Sequence, residues 1–252
     1  MFVVLALVFG VGFVVFGVGG GIPGTSLGDI LRSGGGSSGP SESKLRSEIQ
    51  ANPKDAAAYR ELATKLQQDG NTQEAITTLE QLTKLRPKVS QSLAELGSLY
   101  LTQANRYQTQ TQNAQVAFSQ ANPGAFIPSL TAPNGQPVLN NPITSPAVQQ
   151  ASTEFNQASA NAQAAYSKAV ATYKQLVKAT PAGPEQAQVE LQLGQTAQSA
   201  GDYPTAIAAY RKTLRLAPTD PNAPAIRQEI KVLTQQAKQQ AAQQAAQTSS
   251  SG

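Results

Sequence analysis

The residue types that this chain lacks narrow the chemistry open to it. Its 252 residues include no His and no Cys, so the sequence offers no imidazole base, no thiol nucleophile and neither of the side chains that zinc sites use most. The remaining candidates are carboxylates, amines and hydroxyls, and their spacing forms no recognisable catalytic set. Lys44 stands near Ser41 and Ser43, but in a linker-like composition. We therefore predict that the protein is not an enzyme and holds no metal or cofactor.

The charge pattern argues against a nucleic-acid partner. The formal net charge is +4, but only 13% of the residues are charged. The Lys and Arg residues are scattered singly, so the basic balance reflects a scarcity of acids and not a basic cluster. The glycines of residues 17–21 end an apolar segment and do not link a strand to a helix, as a phosphate-binding loop would. We predict no nucleic-acid binding.

The first 22 residues indicate a membrane anchor. From Phe2 to Ile22 the chain carries no charge and consists mainly of Val, Leu, Phe, Ala and Gly. About 20 apolar residues are enough to cross the hydrocarbon core as a helix. A cleaved signal peptide is the alternative, although a charged first region and a clear small-x-small cleavage site are missing. We predict a single transmembrane helix over residues 1–22 and a single-pass membrane protein.

Residues 23–50 are predicted to form a flexible linker. The run from Gly34 to Pro40 contains only Gly, Ser and Pro. Such a composition buries too little apolar area to offset the entropy lost on folding. The linker would hold the following domain away from the bilayer.

A pair of helices is predicted after the linker. Asp55 can cap a first helix whose apolar face has the i, i+3, i+4, i+7 spacing, and Gly70 supplies the turn that ends it. The apolar positions of this helix are Tyr59, Leu62, Ala63 and Leu66. A second apolar stripe comprises Ala75, Ile76, Leu79, Leu82 and Leu85. Pro87 stops this second helix, so the spacing predicts two antiparallel helices of similar length.

These positions resemble the tetratricopeptide repeat. Pro87, Pro181 and Pro218 close three copies, which we place at 56–87, 90–181 and 187–218. The third copy departs from the pattern at Glu190 and Ala197, where bulkier apolar residues are expected. The resemblance implies an all-α domain over residues 51–234, in which three helix pairs stack into a right-handed α-solenoid.

The second copy carries an insertion at 104–165. Apolar residues keep a heptad-like seam on the outward helix, at Leu93, Leu96, Tyr100, Tyr107, Ala114 and Phe118. The return helix alternates spacings of three and four, at Val148, Ala151, Phe155, Ala158, Ala162, Ala165, Ala169 and Leu176. The pattern predicts a long antiparallel helical hairpin, with arms of about 30 residues or about 45 Å at 1.5 Å per residue.

The tip of this hairpin combines turn signals with apolar residues. Between Pro123 and Pro146 the chain is rich in Pro, so we expect an irregular loop. Its apolar residues are Phe126, Ile127, Leu130, Val138, Leu139 and Ile143. They form either a docking surface for a partner or a cluster that folds back onto the hairpin. The stretch from Tyr107 to Thr153 has no charged residue, which favours an extracytoplasmic domain.

The C-terminal region is predicted to close the array. Ile226, Ile230, Leu233 and Ala237 share one face of a helix over 221–237, which would cover the exposed end of the third copy. Residues 238–252 are rich in Gln, Ala and Ser and are predicted to form a tail.

The resemblance also implies where a partner binds. It implies that the first helices of the pairs form a concave face, which holds a peptide or a partner helix. The corresponding residues are Arg60, Thr64, Gln67, Gln68, Ser98, Leu101, Leu191, Gln195 and Gln198. A pocket for a C-terminal carboxylate is not expected, because Arg60 is the sole cation among them. For Arg60 itself, a solvated surface side chain is the alternative.

We therefore predict a non-enzymatic adaptor at a membrane, which binds a protein or peptide through the concave face, the hairpin tip or both. The alternative is a structural, assembly or chaperone-like subunit of an envelope complex that acts through self-association of the hairpin and the C-terminal tail. Both functions use the same fold, and the oligomeric state is left open.

Overall fold

The computed structural model describes residues 40–121 and 146–250, and within these ranges the regular structure is entirely α-helical. The eight helices are α1 (Glu42–Ala51), α2 (Ala56–Gln68), α3 (Thr72–Leu85), α4 (Ser90–Ala121), α5 (Pro146–Ala179), α6 (Pro184–Ser199), α7 (Tyr203–Leu216) and α8 (Ala223–Ser250). Among these described helices, none is both long and apolar enough to cross a bilayer. The predicted anchor, residues 1–22, and the six apolar residues of the predicted hairpin tip lie outside the described residues.

The first helix pair forms where the spacing predicts it. α2 begins after Asp55, whose carboxylate accepts hydrogen bonds from the backbone N–H groups of Ala57 and Ala58 at 3.0 and 3.1 Å. The chain then turns at Gly70, whose φ of 77° lies in the left-handed region that glycine adopts without strain. α3 packs against α2 and ends before Pro87. A capping carboxylate and a turn glycine thus set the limits of α2.

Glycine allows the helices of the later pairs to approach closely. A methyl group on Gly97 of α4 would lie 3.0 Å from Cε2 of Tyr173 in α5. One on Gly194 of α6 would lie 2.5 Å from Cε1 of Tyr210 in α7. The equivalent residues of the first pair are Ala63 and Leu79, both buried. Where the second helix of a pair carries a Tyr ring in place of Leu, the first helix therefore carries Gly in place of Ala.

Apolar clusters run through the described helices from α1 to α8. Leu99 of α4 packs against the cluster that α1, α2 and α3 form and also against the next one. Leu101, two residues later, packs against that second cluster and against the large cluster that extends to α8. Each described helix also contacts the next one along the chain. The helix pairs therefore share a continuous core, as stacked repeats require.

The prediction of a linker over residues 23–50 is wrong at its C-terminal end, because residues 42–50 belong to α1. Leu45 is buried there against α2 and α3. Pro53 precedes Pro87 by 34 residues, the length of one repeat. Leu45 precedes Pro53 by eight residues, and Leu79 keeps the same distance from the next proline. α1 is therefore equivalent to the second helix of a pair, and it covers one end of the array.

Two long helices make up the second pair, in agreement with the predicted hairpin. α4 has 32 residues and α5 has 34, and they pack along each other. Small buried residues line α5 at Ala151, Ala158, Ala162, Ala165 and Ala169. Near the repeat core, the Tyr166 hydroxyl lies 3.0 Å from Oδ1 of Asn105 and 2.8 Å from Oε1 of Gln108. These polar contacts fix the base of the hairpin.

The C-terminal helix is longer than predicted. The cap was expected over 221–237 and a tail from 238, but α8 runs from Ala223 to Ser250. Ile226 and Leu233 are buried in the large cluster, which is the contact that a capping helix needs. Gln and Ala are good helix formers, and residues 238–250 contain neither Gly nor Pro to end the helix.

Candidate partner-binding surface

The nine residues predicted for the concave face lie on three helices that each open a pair. Arg60, Thr64, Gln67 and Gln68 belong to α2, Ser98 and Leu101 to α4, and Leu191, Gln195 and Gln198 to α6. Gln68 and Ser98 are exposed, and the other seven are partly buried. We call the surface of α2, α4 and α6 that carries these residues the first-helix face.

Arg60 is held between two helices of this face. Its side chain is partly buried, and Nη2 donates to Oγ of the fully buried Ser92 at 3.3 Å. Nε of Arg60 and Oε2 of Glu95 are both shielded from solvent, and neither has a hydrogen-bond partner in the described part of the chain. An unpaired buried polar group costs about 1–3 kcal/mol. The arginine is therefore not simply extended into solvent.

Glu95 shows how burial and charge compete at this point. Burial raises the pKa of Glu95 above its ordinary value, while the positive charge of Arg60 and a hydrogen bond with Gln91 oppose the shift. The loss of hydration thus outweighs the attraction between the two charges. Arg60 and Glu95 therefore form an opposite-charge pair whose hydrogen bonding within the described residues is incomplete.

Three of the predicted residues have structural contacts within the chain. The Gln198 amide donates to Oε1 of Glu229 at 2.6 Å and accepts from the Tyr210 hydroxyl at 2.8 Å, so it links α6 to α7 and α8. Leu101 and Leu191 pack against the large apolar cluster. These side chains hold the array together and offer little to a partner.

Four other predicted residues present polar groups that are not used internally. Gln67, Gln68, Ser98 and Gln195 make no side-chain hydrogen bond to the residues that the structure describes. They come from all three first helices. Together with Arg60 they are the predicted residues best placed to recognise a polar partner.

A second polar cluster was not predicted from the sequence. The Tyr100 hydroxyl donates to the Glu80 carboxylate. Nζ of Lys168 lies 3.4 Å from Oε1 of Glu80 and 5.3 Å from the centre of the Tyr100 ring. The cluster joins α3, α4 and α5 at the base of the hairpin. Helical spacing assigned Tyr100 to an apolar seam, and spacing within one helix does not show partners on other helices.

The hairpin combines exposed apolar groups with an amide-lined cleft. Val116 is 53% exposed and Phe118 is 37% exposed. A cleft of about 550 Å³ lies between α4 and α5, lined mainly by Gln, Asn and Ala, with Glu154 as its single charged residue. The predicted tip residues themselves lie outside the described ranges.

The described helices contain no group of three or more His, Cys, Asp or Glu residues that could hold a metal ion. The arrangement that remains is a series of packed helix pairs with polar side chains along successive first helices.

An all-helical array of this kind, with each pair stacked on the next, is consistent with the α-solenoid class of repeat proteins. The family model for the tetratricopeptide repeat matches residues 60–112 and 154–221. The match supports a tetratricopeptide repeat protein. Such repeats generally mediate protein–protein interactions, and the fold is typically a non-enzymatic interaction module. No curated protein matches the chain significantly.

Proposed function

We propose that this protein is a non-enzymatic adaptor that binds a protein or peptide on the first-helix face. The observation that carries the proposal is the set of unused polar groups on α2, α4 and α6. Arg60 adds a positive charge to that set, on a side chain that is only partly buried. A bound peptide would form hydrogen bonds with these groups at successive repeats.

Site-specific photo-crosslinking tests this proposal. A photoreactive amino acid placed at Gln67 or Gln195 should give a discrete crosslinked product in cells, because both positions lie on the first-helix face. The matched controls are Gln228 and Gln235, two exposed glutamines on α8. Equal products from all four positions, or none from Gln67 and Gln195, would rule out the first-helix face as the binding surface.

The proposal includes a membrane tether over residues 1–22 and a repeat domain on the extracytoplasmic side. The tether is supported by the uncharged apolar run from Phe2 to Ile22. The location is supported by the uncharged stretch from Tyr107 to Thr153, which is rich in Gln, Asn, Ser and Thr. An adaptor in this position would gather its partners at the membrane surface.

Self-association through the hairpin is a second candidate function. It is favoured by the exposure of Val116 and by an arm surface that lacks the charges that would keep copies apart. The mass of the purified full chain in detergent, measured over a range of concentrations, would separate the two functions. Oligomers that Val116→Gln abolishes would support self-association, whereas a monomer at all concentrations would exclude it.

A further inference from the structure

One position of the repeat is basic in all three copies. Lys84, Lys178 and Arg215 each lie three residues before the proline that closes their copy. They stand in the last turn of α3, α5 and α7, which are the second helices of the three pairs. These three cations are far apart in the sequence but occupy the same position of the repeat.

Stacking places the second helices of successive copies on the same side of the array. Side chains join these helices directly: Nζ of Lys168 in α5 lies 3.4 Å from the Glu80 carboxylate in α3. Lys174, also in α5, lies 3.8 Å from Asp202, the residue before α7. Lys84, Lys178 and Arg215 thus stand at the same end of three successive second helices. We call Lys84, Lys178 and Arg215 the basic row.

The basic row is open to a ligand. All three side chains are exposed, and within the described ranges none of them forms an ion pair. Arg215 is attracted by the buried Glu190 but forms no ion pair with it. Positive charge in the last turn also suits the helix dipole, which accounts for each cation separately. The dipole does not require the same position in three copies.

A further cation widens this charged surface on α7. Arg211 lies seven residues before Pro218, one helical turn ahead of Arg215, whereas the equivalent Lys174 of the second copy is already paired with Asp202. Glu80 occupies the same position in the first copy, where it is already bonded to Tyr100. Among the three second helices, α7 therefore carries the most unpaired positive charge, at Arg211 and Arg215.

We propose that the basic row binds an acidic segment of a partner polypeptide. The inference rests on the proposed adaptor function and adds a contact surface separate from the first-helix face. Single cations on successive helices suit a linear anion, and charge complementarity would steer its approach. Of the large apolar side chains exposed in the described ranges, Leu85 alone neighbours the row in sequence. Insertion into a bilayer needs more apolar surface than this.

Fluorescence anisotropy with a labelled poly-glutamate peptide tests the basic row. The full chain, kept in neutral detergent, should bind the peptide with an affinity that falls as salt rises. The triple variant Lys84→Gln, Lys178→Gln, Arg215→Gln should bind roughly tenfold more weakly. The matched control is Arg106→Gln, Arg227→Gln, Lys231→Gln, which removes the same charge from exposed positions outside the row.

The outcomes separate the possible sources of binding. Equal weakening in both triple variants would mean that net charge alone binds the peptide, and the row would be rejected. Another outcome would be that the wild type binds vesicles that contain anionic lipid and fails to bind the peptide. If the row variant also lost this vesicle binding, the acidic polypeptide would be rejected as the ligand in favour of a membrane surface. If Gln67 and Gln195 gave crosslinks but the peptide did not bind, only the proposed role of the basic row would be rejected. The proposed adaptor function would be unaffected.

Discussion

The ring of Tyr210 lies against Gly194 so closely that even a methyl group on the glycine would meet Cε1 at 2.5 Å. The two residues are the point where α6 and α7 cross. In the first pair, the same crossing is made by Ala63 and Leu79. From the first pair to the pair of α6 and α7, the first-helix residue thus becomes smaller and the second-helix residue larger.

Gly194→Ala should destabilise the protein. The added methyl group would push the Tyr210 ring out of place, and overpacking of this kind costs about 1–3 kcal/mol. Ala is favoured over Gly within a helix by about 0.5–1 kcal/mol, so the net loss should be smaller. The midpoint of urea denaturation of the full chain measures the effect. Gly97→Ala should cost less, since its closest approach to Tyr173 is 3.0 Å.

A second substitution, at Tyr210, should relieve the clash that Gly194→Ala introduces. The double variant Gly194→Ala, Tyr210→Leu recreates the pairing of Ala63 with Leu79. The double variant should lose less free energy of unfolding than the two single variants lose in sum, because the smaller Leu side chain leaves room for the added methyl group and the methyl group fills part of the space that the Tyr ring leaves. Strict additivity would show that the crossing of α6 and α7 does not depend on this contact.

Leu45→Ala should also destabilise the array, because α1 is part of the fold. Leu45 is 1% exposed, and truncation of a buried leucine typically costs about 2–5 kcal/mol. Ser47→Ala, on the exposed side of the same helix, serves as the control and should have little effect. An unchanged urea midpoint for Leu45→Ala would mean that α1 contributes nothing to stability in solution.

The buried carboxyl of Glu190 should make stability depend on pH. Burial raises its pKa above the ordinary value, against the opposing charges of Lys212 and Arg215. The folded state then binds the proton more tightly than the unfolded state, so stability falls as pH rises from the unfolded value of 4.5 through the folded pKa. Above the folded pKa the penalty is fully present.

Glu190→Gln should remove this penalty. The variant should be more stable than the wild type at neutral pH and little different near about pH 4, where the carboxyl is largely protonated in both states. Glu61→Gln, at an exposed position in the middle of α2, serves as the control. The expected sign would be wrong if the urea midpoint of the wild type rose from the acidic to the neutral pH and Glu190→Gln abolished that rise.

The predicted membrane topology can be tested with an epitope tag at the C-terminus. Protease added to intact cells, or after removal of an outer envelope, should digest the repeat domain if it lies outside the cytoplasm. Protection until the inner membrane is opened would place the domain in the cytoplasm instead. A variant with Arg residues in place of Val4 and Leu7 should lose membrane association, since each charge opposes insertion.

Sequence periodicity was sufficient for the helix pairs because each pair buries its own apolar stripe. Asp55 and Gly70 mark the ends of α2 by local hydrogen bonding and backbone conformation, which a single sequence displays directly. α1 was missed because the Gly and Ser run before it dominates the local composition. The register of Pro53 with Pro87 was the signal that could have identified it.

The candidate site was less predictable than the fold because its properties arise between helices. The internal bonds of Gln198 involve Tyr210 and Glu229, which belong to other helices. The basic row likewise becomes visible only when the three copies are superimposed on their closing prolines. Spacing along one helix identifies a face, but it does not show which side chains a neighbouring helix occupies.

The long helices of the second pair have a consequence for how this protein can change. Because α4 and α5 enter the core as the two members of one pair, residues added or removed between them leave the stacking order of the array untouched. Deleting one heptad from each helix would shorten the projection by about 10 Å and keep the seam in phase. The reach of the arm is thus a dimension that evolution or a protein engineer can adjust in discrete steps, independently of the surface that recognises a partner.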